Sequence, residues 1–195
     1  AVQEIADAIE GVDIPVLIKN PINPDLNLWI GAIERIYNAG IQRVGVIHRG
    51  FSLAGNSSYR NEPLWQIPIE LKRRFPDLTI ICDNSHICGR RDTLADVAQK
   101  SFDLSFHGLM TETHPNPDKA WSDAKQQITP AVFKELVSNL VIKHEELDGD
   151  ARESIEALRA QIDGIDNELL NMLGKRMEIA QSIGLYKKAK DISIL

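Results

Sequence analysis

His86, Glu112 and Asp123 offer an imidazole and two carboxylates, each placed just beyond an apolar run that reads as a buried strand. Three such groups at loop mouths form a donor set for a divalent metal ion. Cations suited to phosphate stand in similar places: Lys19 in Val16-Leu17-Ile18-Lys19-Asn20-Pro21, and the pair His48-Arg49 in Val46-Ile47-His48-Arg49-Gly50. A metal beside phosphate-binding cations points to chemistry on a phosphorylated substrate. Each residue also has a plainer use. A strand-end His or Asp commonly caps a helix or ties a loop, Lys19 could extend its stem along apolar surface, and Arg49 could pair with a neighbouring carboxylate. Cys82, His86 and Cys88 form an alternative zinc cluster, but Cys82 lies inside the apolar run Thr79-Ile80-Ile81-Cys82, where a small buried thiol is the simpler fate. Gly-x-Gly-x-x-Gly and Walker patterns are absent, so nucleotide binding has little support.

The elements that must position these groups alternate strand and helix, which indicates an α/β class with parallel strands. A helical stub, Val2 to Ile9, opens the chain. Four units follow: strand Ile14 to Ile18 with helix Asp25 to Asn38, stopped by Gly40; strand Arg43 to Ile47 with a helix from about Leu64 to Phe75; strand Leu78 to Cys82 with helix Thr93 to Lys100; and strand Leu104 to Thr111, whose Pro-rich loop leads to a helix capped by Thr129-Pro130 and ending near His144. From Glu145 to Asp150 the sequence turns acidic and poor in apolar residues, the signature of a linker.

Beyond it the period changes. Ile155, Leu158, Ile162, Ile165, Leu169, Met172, Arg176, Ile179, Ile183 and Tyr186 recur by threes and fours, the seam of a helix roughly 50 Å long that packs on other helices. Arg176 breaks the apolar seam. At about 100° per residue, Arg176 and Lys187 share a face and Arg159 lies about a quarter turn away. Two inward cations at one level invite a dianion; a polar register-setting residue with snorkelling lysines is the alternative.

With 195 residues, 43% hydrophobic and 26% charged, the chain can bury one large or two small cores. A net charge of -6 without a Lys/Arg block argues against nucleic acid. No apolar run approaches a membrane span, two cysteines are too few for a disulfide framework, and Ala1 to Ile5 lacks a signal-peptide pattern, so the cytoplasm is the expected location.

Ile18-Lys19-Asn20-Pro21, Ile47-His48-Arg49-Gly50, Asp83-Asn84-Ser85-His86 followed by Gly89-Arg90-Arg91, Glu112-Thr113-His114-Pro115 and Trp121-Ser122-Asp123-Ala124-Lys125-Gln126-Gln127 together resemble 3-deoxy-D-arabino-heptulosonate 7-phosphate (DAHP) synthases. The likeness runs from residue 1 to about 144. It implies a (β/α)8 TIM barrel, of which the chain holds the last four βα units, and the condensation of phosphoenolpyruvate with erythrose 4-phosphate at the start of the shikimate pathway. It further implies that His86, Glu112 and Asp123 hold a divalent ion (manganese, iron, cobalt or zinc) that polarises the aldehyde, and that Lys19 and Arg49 fix phosphoenolpyruvate. The first half of such a barrel would add a cysteine ligand and further substrate contacts, so the segment alone is expected to be inactive. One departure is Asn84, where the family usually has proline.

Leu158-Arg159-Ala160-Gln161-Ile162-Asp163, Leu169-Leu170, Lys175-Arg176 and Gly184-Leu185-Tyr186-Lys187-Lys188 resemble the first helix of the all-α chorismate mutases. That resemblance covers residues 153–195 after a linker at 145–152. It makes Arg159, Arg176 and Lys187 the cations that grip chorismate and favour its rearrangement to prephenate, in a homodimer joined through this helix. Two alternatives stand beside the fused synthase and mutase: a regulatory or assembly module with a phosphate-binding α/β part, and a related sialic-acid-type synthase.

Overall fold

The structure, a computed structural model, describes residues 2–55, 57–142 and 149–190. It divides into two units, residues 1–143 and 144–195.

In the first unit four parallel strands lie side by side in sequence order: β1 (Val16–Lys19), β2 (Val44–His48), β3 (Thr79–Asp83) and β4 (Gly108–Met110). The helices are α1 (Val2–Ala8), α2 (Leu26–Asn38), α3 (Gln66–Arg74), α4 (Asn84–Cys88), α5 (Leu94–Asp103) and α6 (Pro130–Ser138). Asp25 starts α2 by accepting from the backbone of Asn27 and Leu28, and Thr129 starts α6 by accepting from Val132. Because successive side chains of a strand point to opposite faces, Ile18, Val46, Ile80 and Cys82 share one side of the sheet. There they join Trp29, Ile33, Ile36, Leu71, Leu94, Val97 and Phe106 in the core. The other side carries Leu17, Gly45, Ile47 and Ile81, and Leu17 is 46% exposed. This is the layering of a barrel sector, with helices outside and an inner face on which Ile47 is buried and Leu17 is about half exposed.

The sequence placed all four strands, with ends displaced by one to four residues. β4 is the largest correction. The apolar run from Leu104 reads as strand, yet Leu104 caps α5, Ser105 takes a positive φ of 58°, and Phe106 is buried among the helices before pairing begins at Gly108. The last helix of this unit ends at Ser138, well before the expected His144. The short α4 is an element that the sequence reading lacked.

The second unit is one helix, α7 (Gly149–Ala189), whose start precedes Glu153 by four residues. Its 41 residues span about 60 Å. The linker residues 145–148 and the stretch 191–195 lie outside the described residues. No described helix is long and apolar enough to cross a membrane.

Candidate metal centre

All four strands run the same way, so Lys19, Arg49, Asp83 and Glu112 arrive at one edge of the sheet, at or just beyond the carboxyl ends of β1 to β4. His86 follows β3 on α4. Asp83 builds that turn: its side chain accepts from the backbone N–H of His86 at 3.1 Å and faces His86 Nδ1 at 2.9–3.0 Å. A carboxylate oxygen accepts here, so Nδ1 donates to Asp83, and Nε2 is the ring nitrogen left to face a ligand. Nε2 points toward Glu112, 3.9 Å from Oε1.

Asp83 is fully buried and is balanced by Lys19, whose ammonium crosses in front of β2 to reach Oδ2 at 3.0 Å. One buried carboxylate thus holds both the imidazole and the nearest cation. Loop hydrogen bonds fix the surroundings. Asn20 accepts from the N–H of Arg49 at 2.7 Å and donates to the carbonyl of Gly50, lacing the ends of β1 and β2 together. Gly50 has φ of 76°, and a Cβ there would lie 2.7 Å from the carbonyl oxygen of Asn61. That close approach brings in Asn61, which donates to the carbonyl of His86. Asn84 gains by hydrogen bonding the rigidity a proline ring would give: it donates to the Leu94 carbonyl and accepts from Thr111. The Ser85 hydroxyl accepts from the N–H of Glu112.

Asp123 comes from the loop after β4 with φ of 52°. Arg91 pins this loop, donating to the carbonyls of Ala124 and Gln127 and to Asp118. Arg60 meets Asp123 Oδ1 at 2.5 Å and holds its carboxyl below the usual aspartate range, with the proximity of His86 adding to the effect. The structure brings His86, Glu112 and Asp123 together, one ligand atom from each lying within 4.8 Å of the others. Bonds of about 2.0–2.2 Å at tetrahedral angles put ligand atoms about 3.3–3.6 Å apart, a contraction of roughly 1 Å that side-chain rotation can supply, and a nitrogen with two carboxylate oxygens suits a divalent transition ion. The geometry and the donor chemistry therefore fit a metal.

His48 is a correction. Expected beside Arg49 as a phosphate-facing cation, it lies instead on the helix side of β2, fully buried among Trp29, Phe51, Trp65 and Phe106. The pleat decides this, since it shares its face with Val46. Burial pushes its pKa from 6.5 to about 3, against a weaker pull from the Pro63 carbonyl, and neither ring nitrogen makes a well-formed hydrogen bond. It is neutral and bears no charge for a ligand. Cys82 and Cys88 are buried thiols, with burial pushing the Cys88 pKa up to about 11, and among the described residues the donor atoms that converge are those of His86, Glu112 and Asp123 rather than either sulfur.

On α7, Arg159 pairs with Glu156 at 2.9 Å. Lys187 borders a shallow concavity with Glu178, Ile179, Ser182, Ile183 and Tyr186. The partners Asp83, Arg60 and Gln126 had no role in the sequence reading. Only Asp83 left a signal there, an acid three residues before His86 where a short helix would start.

A parallel sheet with outer helices and a candidate divalent-metal centre at its carboxyl edge defines an α/β-barrel type of protein. Residues 2–147 match the DAHP synthetase I family, and residues 158–195 match chorismate mutase type II. A phospho-2-dehydro-3-deoxyheptonate aldolase from Thermotoga maritima is 31% identical over 126 residues, which cover 65% of this chain and 37% of that protein. A truncated form of 3-deoxy-D-arabino-heptulosonate 7-phosphate synthase from the same organism superposes with a TM-score of 0.62 at 28% identity, over 70% of this chain and 50% of that one. The crystal structure of phospho-2-dehydro-3-deoxyheptonate aldolase (DAHP synthase) from that organism gives 0.59 at 31% identity, over 64% and 36%. The chain belongs to the DAHP synthetase I family, and its residues 158–195 are similar to chorismate mutase type II. It spans half or less of the length of these relatives.

Proposed function

We propose that residues 1–144 form the C-terminal half of a DAHP synthase barrel, joined by a linker at 145–152 to the first chorismate mutase helix, 153–195. Together with the remaining strands and helices, they condense phosphoenolpyruvate with erythrose 4-phosphate and rearrange chorismate to prephenate. The observation that carries this reading is the meeting of His86, Glu112 and Asp123 at the carboxyl edge of the sheet, with Lys19 bound to the carboxylate that orients His86.

A divalent ion held by these three side chains supplies Lewis acidity toward the aldehyde of erythrose 4-phosphate. Asp83 keeps the proton on His86 Nδ1 and so keeps Nε2 available. Lys19 and Arg49 bind phosphoenolpyruvate and offset the charge of two phosphorylated substrates brought close together. Arg159, Arg176 and Lys187 grip the carboxylates of chorismate, and α7 joins two copies. The four strands alone leave Leu17 on the inner face exposed and the barrel open, so this segment is inactive by itself. The test is DAHP formation by the full-length protein from phosphoenolpyruvate and erythrose 4-phosphate, before and after a chelator and again after a divalent ion is restored. Turnover that is indifferent to the chelator contradicts the metal reading, and absence of DAHP contradicts the synthase reading.

A further inference from the structure

Gln126 is 1% exposed, lies three residues after Asp123, and belongs to no part of the reaction described above. Its side chain joins two charged groups of opposite kind. Arg60 Nη1 donates to Gln126 Oε1 at 2.8 Å, and Gln126 Nε2 donates to Glu112 Oε2 at 2.6 Å. The sense of this chain is forced. A guanidinium can only donate, so the amide must turn its oxygen to Arg60, and its NH2 group must then face Glu112. Glu112 in turn can only accept, which commits Oε2 to the amide and leaves Oε1 as the oxygen beside His86 Nε2. The same Arg60 nitrogen holds Asp123 Oδ1. Arg60 reaches this place because residue 89 is glycine with φ of 65°: a Cβ there would lie 2.4 Å from Arg60 Cβ.

We propose that Gln126, held in one orientation by Arg60, is a positioning residue that dedicates one oxygen of Glu112 to the protein and the other to the metal, while Arg60 sets Asp123 in the same stroke. The proposal rests on the reading of His86, Glu112 and Asp123 as ligands. It follows that an uncharged residue outside the ligand set controls metal affinity.

The experiment is titration of metal-free full-length protein with Mn2+ followed by electron paramagnetic resonance, with thermal melting as a check on folding. Gln126→Met keeps the length and removes the amide; binding about 10–100-fold weaker than wild type is expected, the range found when an outer partner of a metal ligand is lost. Arg60→Lys keeps the charge and loses the planar fork, and it is expected to weaken Mn2+ in the same direction. The double variant should lose little more than Arg60→Lys alone, because Gln126 serves Glu112 only in the orientation that Arg60 gives it. His86→Ala separates the two readings. If His86→Ala binds Mn2+ as wild type does, or wild type binds none, the ligand set itself is wrong and the proposal falls with it. If His86→Ala loses binding while Gln126→Met or Arg60→Lys, folded, keeps wild-type affinity, the positioning role alone is overturned.

Discussion

At the residue scale the site separates groups that meet a ligand from groups that hold them. Arg49 stands at the end of β2 with its backbone tied to Asn20, so its substitution should leave the strand ends intact. Arg49→Ala in the full-length protein is expected to raise the KM for phosphoenolpyruvate about 10–100-fold, the loss of one or two charge-assisted hydrogen bonds, with little change for erythrose 4-phosphate. Steady-state kinetics with each substrate varied in turn checks this, and equal effects on both would reduce Arg49 to a structural part. His48 makes a different prediction, about acid. Its folded pKa of about 3 lies below the unfolded 6.5, so between those values the unfolded chain binds the extra proton and stability falls as pH falls. The unfolding midpoint in urea should therefore drop from pH 7 to pH 4.5, and the drop should be smaller in His48→Leu. His86 and Glu112 were readable because each follows closely on an apolar run, whereas Asp123 comes from a Pro-rich loop well beyond β4 and was legible through its Trp121-Ser122-Asp123 motif. The roles of Asp83, Gln126 and Arg60 were not, since they depend on partners 3 to 66 positions away that only the fold brings near.

At the element scale, alternation of period two with period three-and-a-half exposed every strand and every long helix, because each must bury one face. It failed where burial continues across a boundary. Leu104 and Phe106 are apolar for the sake of α5 and the core, which makes the approach to β4 resemble the strand itself. It failed again at α4, whose five residues are too few to show a helical period and are held by the Asp83 cap. On α7 the apolar stripe was legible in full: Leu158, Ile162, Ile165, Leu169 and Met172 are each more than half exposed on this helix. Their burial requires a partner, since propensity alone holds a long helix with Gly164, Gly174 and Gly184 only weakly. Arg176 interrupts the stripe. In the full-length protein Arg176→Ala is expected to abolish mutase activity and leave the dimer intact on a sizing column, because a dianion-binding cation acts on the transition state and adds little to an apolar seam. Loss of activity that tracks dissociation into monomers would return Arg176 to a register-setting role.

At the scale of the whole molecule, the candidate metal centre sits on a sheet whose helix-facing side is closed and whose inner side is partly open. The helix-facing side is a closed core, whereas the inner side leaves Leu17 exposed, and β1 and β4 each have a neighbour on one flank alone. Unpaired strand edges and an uncovered apolar face favour self-association. The functional edge inherits this problem, because Lys19 and Asp83 lie on the same open side as Leu17 and Ile81. In a closed barrel that side faces packed side chains, which would exclude water from the Lys19–Asp83 pair and stiffen the support of His86. The 195-residue chain on its own is therefore expected to bind a hydrophobic dye, to self-associate with rising concentration, and to form no DAHP. Mixing it with separately produced remaining strands of the barrel should quench the dye signal and restore condensation together, since one closure both buries the inner face and completes the site. If the isolated chain stays monomeric and dark to the dye, its inner face is covered within this chain, and the half-barrel reading gives way to a self-sufficient α/β module.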